Sequence, residues 1–194
     1  MTAGSAPSAP ASAAAAASED AAWAARLAAR DPEALRAMIA AHAGKLHRVA
    51  YRMTGDAQEA EDIVQEALLR LWDNAPGIAA LRLGGWLQRV VTNLAIDRLR
   101  RARRLSSGEV PEREDEAPRA DALIEAGERD GLARALVLAL PERQRAAIVL
   151  TYFEELPNAE AAEAMEMNIK AFESLLHRAR AGLRQAFAAQ GGAL

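Results

Sequence analysis

Residues Asp62, Gln65, Glu66, Leu69 and Asp73 are spaced so that, at 100° per residue, they share one side of a helix, with Trp72 on its shoulder. Ile63, Val64, Ala67, Leu68 and Leu71 take the opposite side and form an evident core stripe. A helix that only faces water carries Glu–Lys pairs on its outer side. Here carboxylates and an amide stand among bare apolar groups. A second pointed group follows in GGWLQRVVTNLAIDRLRRARR, where Trp86, Leu87, Val90, Val91, Leu94 and Leu99 form a core stripe. Arg89, Asn93 and the arginines Arg98, Arg100, Arg101 and Arg104 lie outside or beyond that stripe. Arginine forks grip phosphates and an exposed Asn can engage an unstacked base, although a basic helix end also simply complements the helix dipole.

The third group lies near the C-terminus, in a window opening at Asn158. Ala161 and Ala162 line the inner face of one helix, Met165 closes it, Met167 plugs the turn, and Phe172 and Leu175 anchor a second helix. Small Ala162 lets the second helix cross close above it. Lys170, Glu173, Ser174, His177, Arg178 and Arg180 are left on the outer side, a set suited to a helix laid in the major groove of DNA. An ordinary helical hairpin with a solvated face would show the same pattern.

Enzyme signatures are missing. The sequence contains no GxxxxGK[ST], GxGxxG, GxSxG or HExxH. Its three histidines, His42, His47 and His177, have no Glu three positions before them, which removes the Glu-x-x-His di-iron pattern. With no cysteine there is no disulfide framework, thiolate nucleophile or thiolate metal site. Catalytic residues, a metal, a cofactor and a small-molecule substrate are therefore not expected.

These motifs need elements to hold them. The chain is 194 residues long and 51% hydrophobic but only 4% aromatic, and no strand-length alternation stands out, so the expected class is all-α. Residues 1–18 form an Ala/Ser/Pro tail without a basic, Leu-rich signal pattern. A first helical unit spans 19–104. Asp31-Pro32-Glu33 starts one helix, Thr54-Gly55-Asp56 breaks it, and Asp56 with Glu59 opens the next, which Asn74–Gly77 stops. A loop with Gly84-Gly85 then leads into a helix from Trp86 to about Arg104. Residues 105–121 read as an acidic, flexible linker, and a second unit covers 122–190. Its helices are expected at Asp130–Leu140, from beyond Pro141 to about Glu154, and on either side of Met167-Asn168. No apolar run approaches the ~18–20 residues that cross a bilayer, so neither membrane insertion nor a location outside the cytoplasm is expected. Net charge is −3, yet 56–73 sets six acids against Arg70, while 82–104 sets seven arginines against Asp97. One unit thus carries an acidic face beside a basic one.

Together, AYRMTGDAQEAEDIVQEALLRLW, WLQRVVTNLAIDRLRR and ALPERQRAAIVLTYFEELPNAEAAEAMEMNIKAFESLLHRARAGLR resemble a bacterial sigma factor of the extracytoplasmic-function group, with regions 2 and 4 only. The resemblance covers about residues 30–188. It implies two small helical domains, the second containing a helix-turn-helix. It also implies an initiation subunit that binds core RNA polymerase (clamp and flap) and promoter DNA of a stress response, and is held inactive by an anti-sigma factor.

By the same resemblance, Asp62, Gln65, Glu66, Leu69 and Trp72 would dock on the clamp. Arg89, Asn93, Arg98, Arg100, Arg101 and Arg104, with the loop 74–85, would serve the −10 element. Lys170, Ser174, His177, Arg178 and Arg180, with Arg143 and Arg145 on the backbone, would serve the −35 element. The linker would thread toward the RNA exit channel. Glu166 stands at a turn position where the family often has Gly, so a positive φ there would carry a strain of about 1 kcal/mol. Glu173 and the bulky Phe172 are further departures. The rival readings are a homodimeric helix-turn-helix regulator and a protein-binding adaptor. The first leaves the Asp62/Gln65/Glu66/Leu69 face without a purpose and the second leaves the arginine run without one.

Overall fold

The computed structural model describes residues 22–74, 83–106 and 128–190. The tail 1–18, most of the loop 74–85 and nearly all of the linker 105–121 fall outside the described residues. Among those described there is no strand, in keeping with the all-α expectation.

A short helix, α1 (22–28), ends at Arg30, whose φ of 60° turns the chain toward α2 (Pro32–Thr54). Asp31 caps α2 as its sequence implies: its side chain accepts the Glu33 N–H at 2.9 Å, and the Arg26 guanidinium beside it holds its carboxyl below the usual range. Gly55 closes α2 in the left-handed region, φ 76°, with its N–H on the Tyr51 carbonyl. Asp56 then accepts the Glu59 N–H at 3.0 Å and starts α3 (Ala57–Asn74). The Glu59 side chain does not reach back to complete a capping box. It pairs with Arg98 at 3.0 Å, and the Asp56 N–H goes to the Thr54 hydroxyl instead.

The next helix, α4 (Leu83–Ser106), starts three residues earlier than expected and takes in Gly84-Gly85. Close packing explains it: a Cβ on Gly84 would stand 3.1 Å from the His42 ring of α2. α2, α3 and α4 enclose Leu46, Val49, Met53, Ile63, Leu71, Leu87 and Val91, all at most 3% exposed. Leu27 of α1 is buried as well and joins the hydrophobic core.

The second unit holds α5 (Glu128–Leu138), α6 (Glu142–Ile148), α7 (Asn158–Ala164) and α8 (Ile169–Ala189). α6 runs on as a wider π-helical turn, Val149–Phe153. Phe172 of α8 is fully buried against the surrounding Ala161, Ala162, Met165, Leu150 and Leu176 layer. The two units lie against each other. Arg134 donates to the Gly55 carbonyl at 3.2 Å and covers the Tyr51 ring at 4.4 Å, while Leu138 packs on Gly55.

Candidate functional site

On α3 the structure sorts the predicted residues into two groups. Asp62 and Gln65 are exposed, and Leu69 is 64% exposed although it sits on a well-packed helix. Core packing on the other face fixes the helix and leaves this strip pointing out. Glu66 is turned toward α4, where it accepts from Arg98 at 2.9 Å and from Arg70 at 2.6 Å. The Arg98 hydrogen bond, seconded by Arg70, holds its carboxyl below the usual glutamate range. Trp72 is half-buried on the core, with the Arg30 guanidinium 5.2 Å from its ring centroid and donating to its carbonyl at 2.6 Å. The polar–apolar strip is thus Asp62, Gln65 and Leu69, with Glu66 and Trp72 as its partly shielded border.

On α4, Arg100, Arg101 and Arg104 are exposed along the last turns, as their spacing implies. Arg89 is exposed but pairs with Glu166 of the second unit at 2.7 Å, and Asn93 beside it is half-buried. Arg98 departs from the expected phosphate role. It is spent on Glu59 and Glu66, because its position falls on the α3-facing side of α4 and not with the other arginines.

In the second unit, Ala161, Ala162, Met165, Phe172 and Leu175 are buried and Met167 packs on the core, the arrangement read from the sequence. Glu166 does take the left-handed conformation, φ 53°, at the turn. Asn168 caps α8 by accepting the Ala171 N–H at 2.9 Å. Lys170, Ser174, His177, Arg178 and Arg180 are all exposed on α8. The Ser174 hydroxyl donates to the Lys170 carbonyl at 2.9 Å, and Arg180 stacks 5.3 Å from the Tyr152 ring centroid. Arg184 is exposed on the same face two turns past His177 and escaped the sequence reading; its spacing from Lys170 and Ser174 was the available signal. Arg143 is exposed beside the turn, 3.8 Å from the Met167 sulfur.

Arg145 corrects the expectation of a DNA-backbone contact. It is 8% exposed, and its fork donates to the carbonyls of Met53, Leu138 and Leu140, the last at 3.2 Å. Met53 and Leu138 carry unsatisfied C-terminal carbonyls of α2 and α5, and Leu140 lies in the turn that follows α5. Burial pushes the guanidinium down to about 10. Among the described residues no group of His, Asp or Glu could hold a metal ion, and no helix is long and apolar enough to cross a membrane.

A helical unit with an exposed mixed strip and a basic helix, joined to a helix-turn-helix unit, is an architecture found among known transcription proteins. Residues 38–105 match the sigma-70 region 2 family and 131–183 match sigma-70 region 4, and the chain belongs to the extracytoplasmic-function group of RNA polymerase sigma factors, which are transcription initiation factors. It is 31% identical over 176 residues to the ECF RNA polymerase sigma factor SigW of Bacillus subtilis, covering 80% of this chain and 89% of that one. It is 32% identical over 151 residues to the sigma factor SigE of Mycolicibacterium smegmatis, covering 76% of this chain but only 59% of SigE. The solved structure of CnrH in complex with the cytosolic domain of CnrY superposes with a TM-score of 0.64 at 25% identity, over 88% of this chain and 97% of CnrH.

Proposed function

We propose that this chain confers promoter-specific initiation on core RNA polymerase in the cytoplasm, with its region 2 and region 4 units doing separate work. The supporting observation is Leu69. A leucine 64% exposed on a helix whose opposite face is packed buries little of its side chain in the fold, yet together with Asp62 and Gln65 it offers an apolar anchor inside a polar rim. That is the make-up of a protein-docking strip for a cationic, partly apolar partner such as the polymerase clamp. Glu66 acts partly by fixing α3 to α4, and Trp72 supports the end of the strip.

Arg89, Asn93, Arg100, Arg101 and Arg104 serve the −10 region, where unstacking a base costs a few kcal/mol and is offset by a fitted pocket and phosphate contacts. Lys170, Ser174, His177, Arg178, Arg180 and the added Arg184 serve the −35 duplex, with Arg143 on its backbone. Regulation by an anti-sigma protein fits the exposed, chemically mixed strip, which a protein competitor could cover.

The test is titration of labelled core polymerase with the purified chain and with Leu69→Asp. Removing a central exposed anchor costs ~2 kcal/mol or more of binding, so affinity falls at least ~30-fold while thermal stability stays within about 0.5 kcal/mol. Equal affinity for both proteins would refute the assignment of this strip. Glu66→Lys is the poorer variant, because it also breaks the Arg70 and Arg98 pairs.

A further inference from the structure

Glu173 is the single acid of α8, set among Lys170, Arg178, Arg180 and Arg184. It lies in the second turn, one turn from Lys170 and from His177 and two turns before Arg180, and all four are exposed. Phe172, Leu175, Leu176 and Ala179 are buried on the opposite side, so the helix cannot roll to take Glu173 away from this face. Asn168, accepting the Ala171 N–H at 2.9 Å, fixes where the helix begins. Among the described residues Glu173 has no ion pair or hydrogen bond. Its carboxylate is therefore available to whatever the face meets.

An ionised carboxylate only accepts hydrogen bonds. In the major groove guanine presents the acceptors O6 and N7, and thymine presents O4 and a methyl group, so neither gives Glu173 a donor. Adenine sets its N6 amino group beside the acceptor N7, which opposes the second carboxylate oxygen. Cytosine offers the N4 amino group with no acceptor next to it on its own edge. Phosphates repel the acid outright. Glu173 thus weakens binding to every duplex except one that places a donor opposite it, which is selection by penalty. The cations around it supply attraction that is blind to sequence.

We propose that Glu173 is a specificity-determining residue, whose carboxylate accepts from the exocyclic amino group of a cytosine in the duplex read by α8. The proposal rests on the assignment of α8 to the −35 duplex and names one base within it. A helix that enters the groove by its N-terminal turns brings the second turn to the base edges.

The full-length chain, alone at low salt and again with core polymerase, selects from a pool of randomised duplexes, and the recovered sequences are read. The parent should enrich a motif with cytosine at one position, preferred about tenfold over the other bases. Glu173→Gln, whose amide both donates and accepts, should move that position to adenine. Glu173→Lys, a donor only, should move it to guanine, with the rest of the motif unchanged. All three proteins should melt together, because the side chain is exposed and unpaired. One motif shared by all three proteins would overturn the proposal. So would variants that gain affinity for every sequence alike, or a parent that shows no preference in either arm. The selection reads bound DNA and needs no transcription. A chain that selects as described yet gives core polymerase no transcripts would sink the initiation reading and leave the role of Glu173 standing, whereas transcripts without the base exchange would sink only that role.

Discussion

Arg145→Met removes a buried guanidinium while keeping most of its volume. Its fork now satisfies three carbonyls, those of Met53, Leu138 and Leu140. Hydrogen bonds from a charged donor are worth roughly 1.5–3 kcal/mol each, a gross loss of roughly 4–9 kcal/mol. Against this, burial holds the group at about 10, below the usual arginine range, a desolvation worth about 3 kcal/mol that methionine escapes. The Arg145 Nε also lacks a partner and adds to the arginine's own cost. The net expectation is a loss of about 1–6 kcal/mol, centred at ~3 kcal/mol, or roughly 6–12 °C in Tm for a protein of this size. Calorimetry reads the shift, and a single transition should split as the two units lose the Met53 tie. Promoter binding supplies a second readout: a phosphate-contacting arginine contributes about one unit to the salt slope, and Arg145→Met should leave that slope unchanged. A Tm within 2 °C of the parent, or a slope reduced by about one, would refute the structural role.

Other expectations follow from the packing. Phe172→Ala empties a fully buried site between α7 and α8 and should cost about 3–5 kcal/mol by denaturant titration, with the helix-turn-helix unit unfolding first. Gly55→Ala combines a φ of 76° with a Cβ 3.0 Å from the Leu138 side chain; a loss of about 1–2 kcal/mol is expected. The Glu66 carboxyl is held low by Arg98, so its contribution is present above the unfolded glutamate range near ~4.3 and is lost as pH falls further. Because Glu66 is 36% exposed, that contribution is at most about 1 kcal/mol. Thermal scans should show Glu66→Gln less acid-sensitive than the parent between about pH 5 and pH 3.

Where a structural element is specified by adjacent residues, it could be read directly. Asp31-Pro32 and Gly55 bound α2 because capping and left-handed turns are local requirements. The Ala162/Met165/Phe172 packing of the helix-turn-helix was legible because small and large residues must alternate at a tight crossing. Gly84-Gly85 misled because a glycine pair usually punctuates a chain, whereas here contact with His42 favours the missing Cβ and the helix continues through it. The helix 22–28 was missed because its order depends on Leu27 finding the core of another element. Arg98 and Arg145 look like surface bases in sequence. Nothing nearby in the chain says that Glu59 and Glu66, or the carboxyl end of α2, will stand opposite them. The exposed strip of α3 and the outer face of α8 were legible because a helical period fixes which side is left over once the core is filled.

Run-off transcription with catalytic core polymerase and a promoter library tests the central claim most directly. The purified chain should produce discrete transcripts that core enzyme alone does not, and Leu69→Asp should abolish them at matched concentration. Core enzyme that stays silent on every template with folded, inhibitor-free protein would contradict the account.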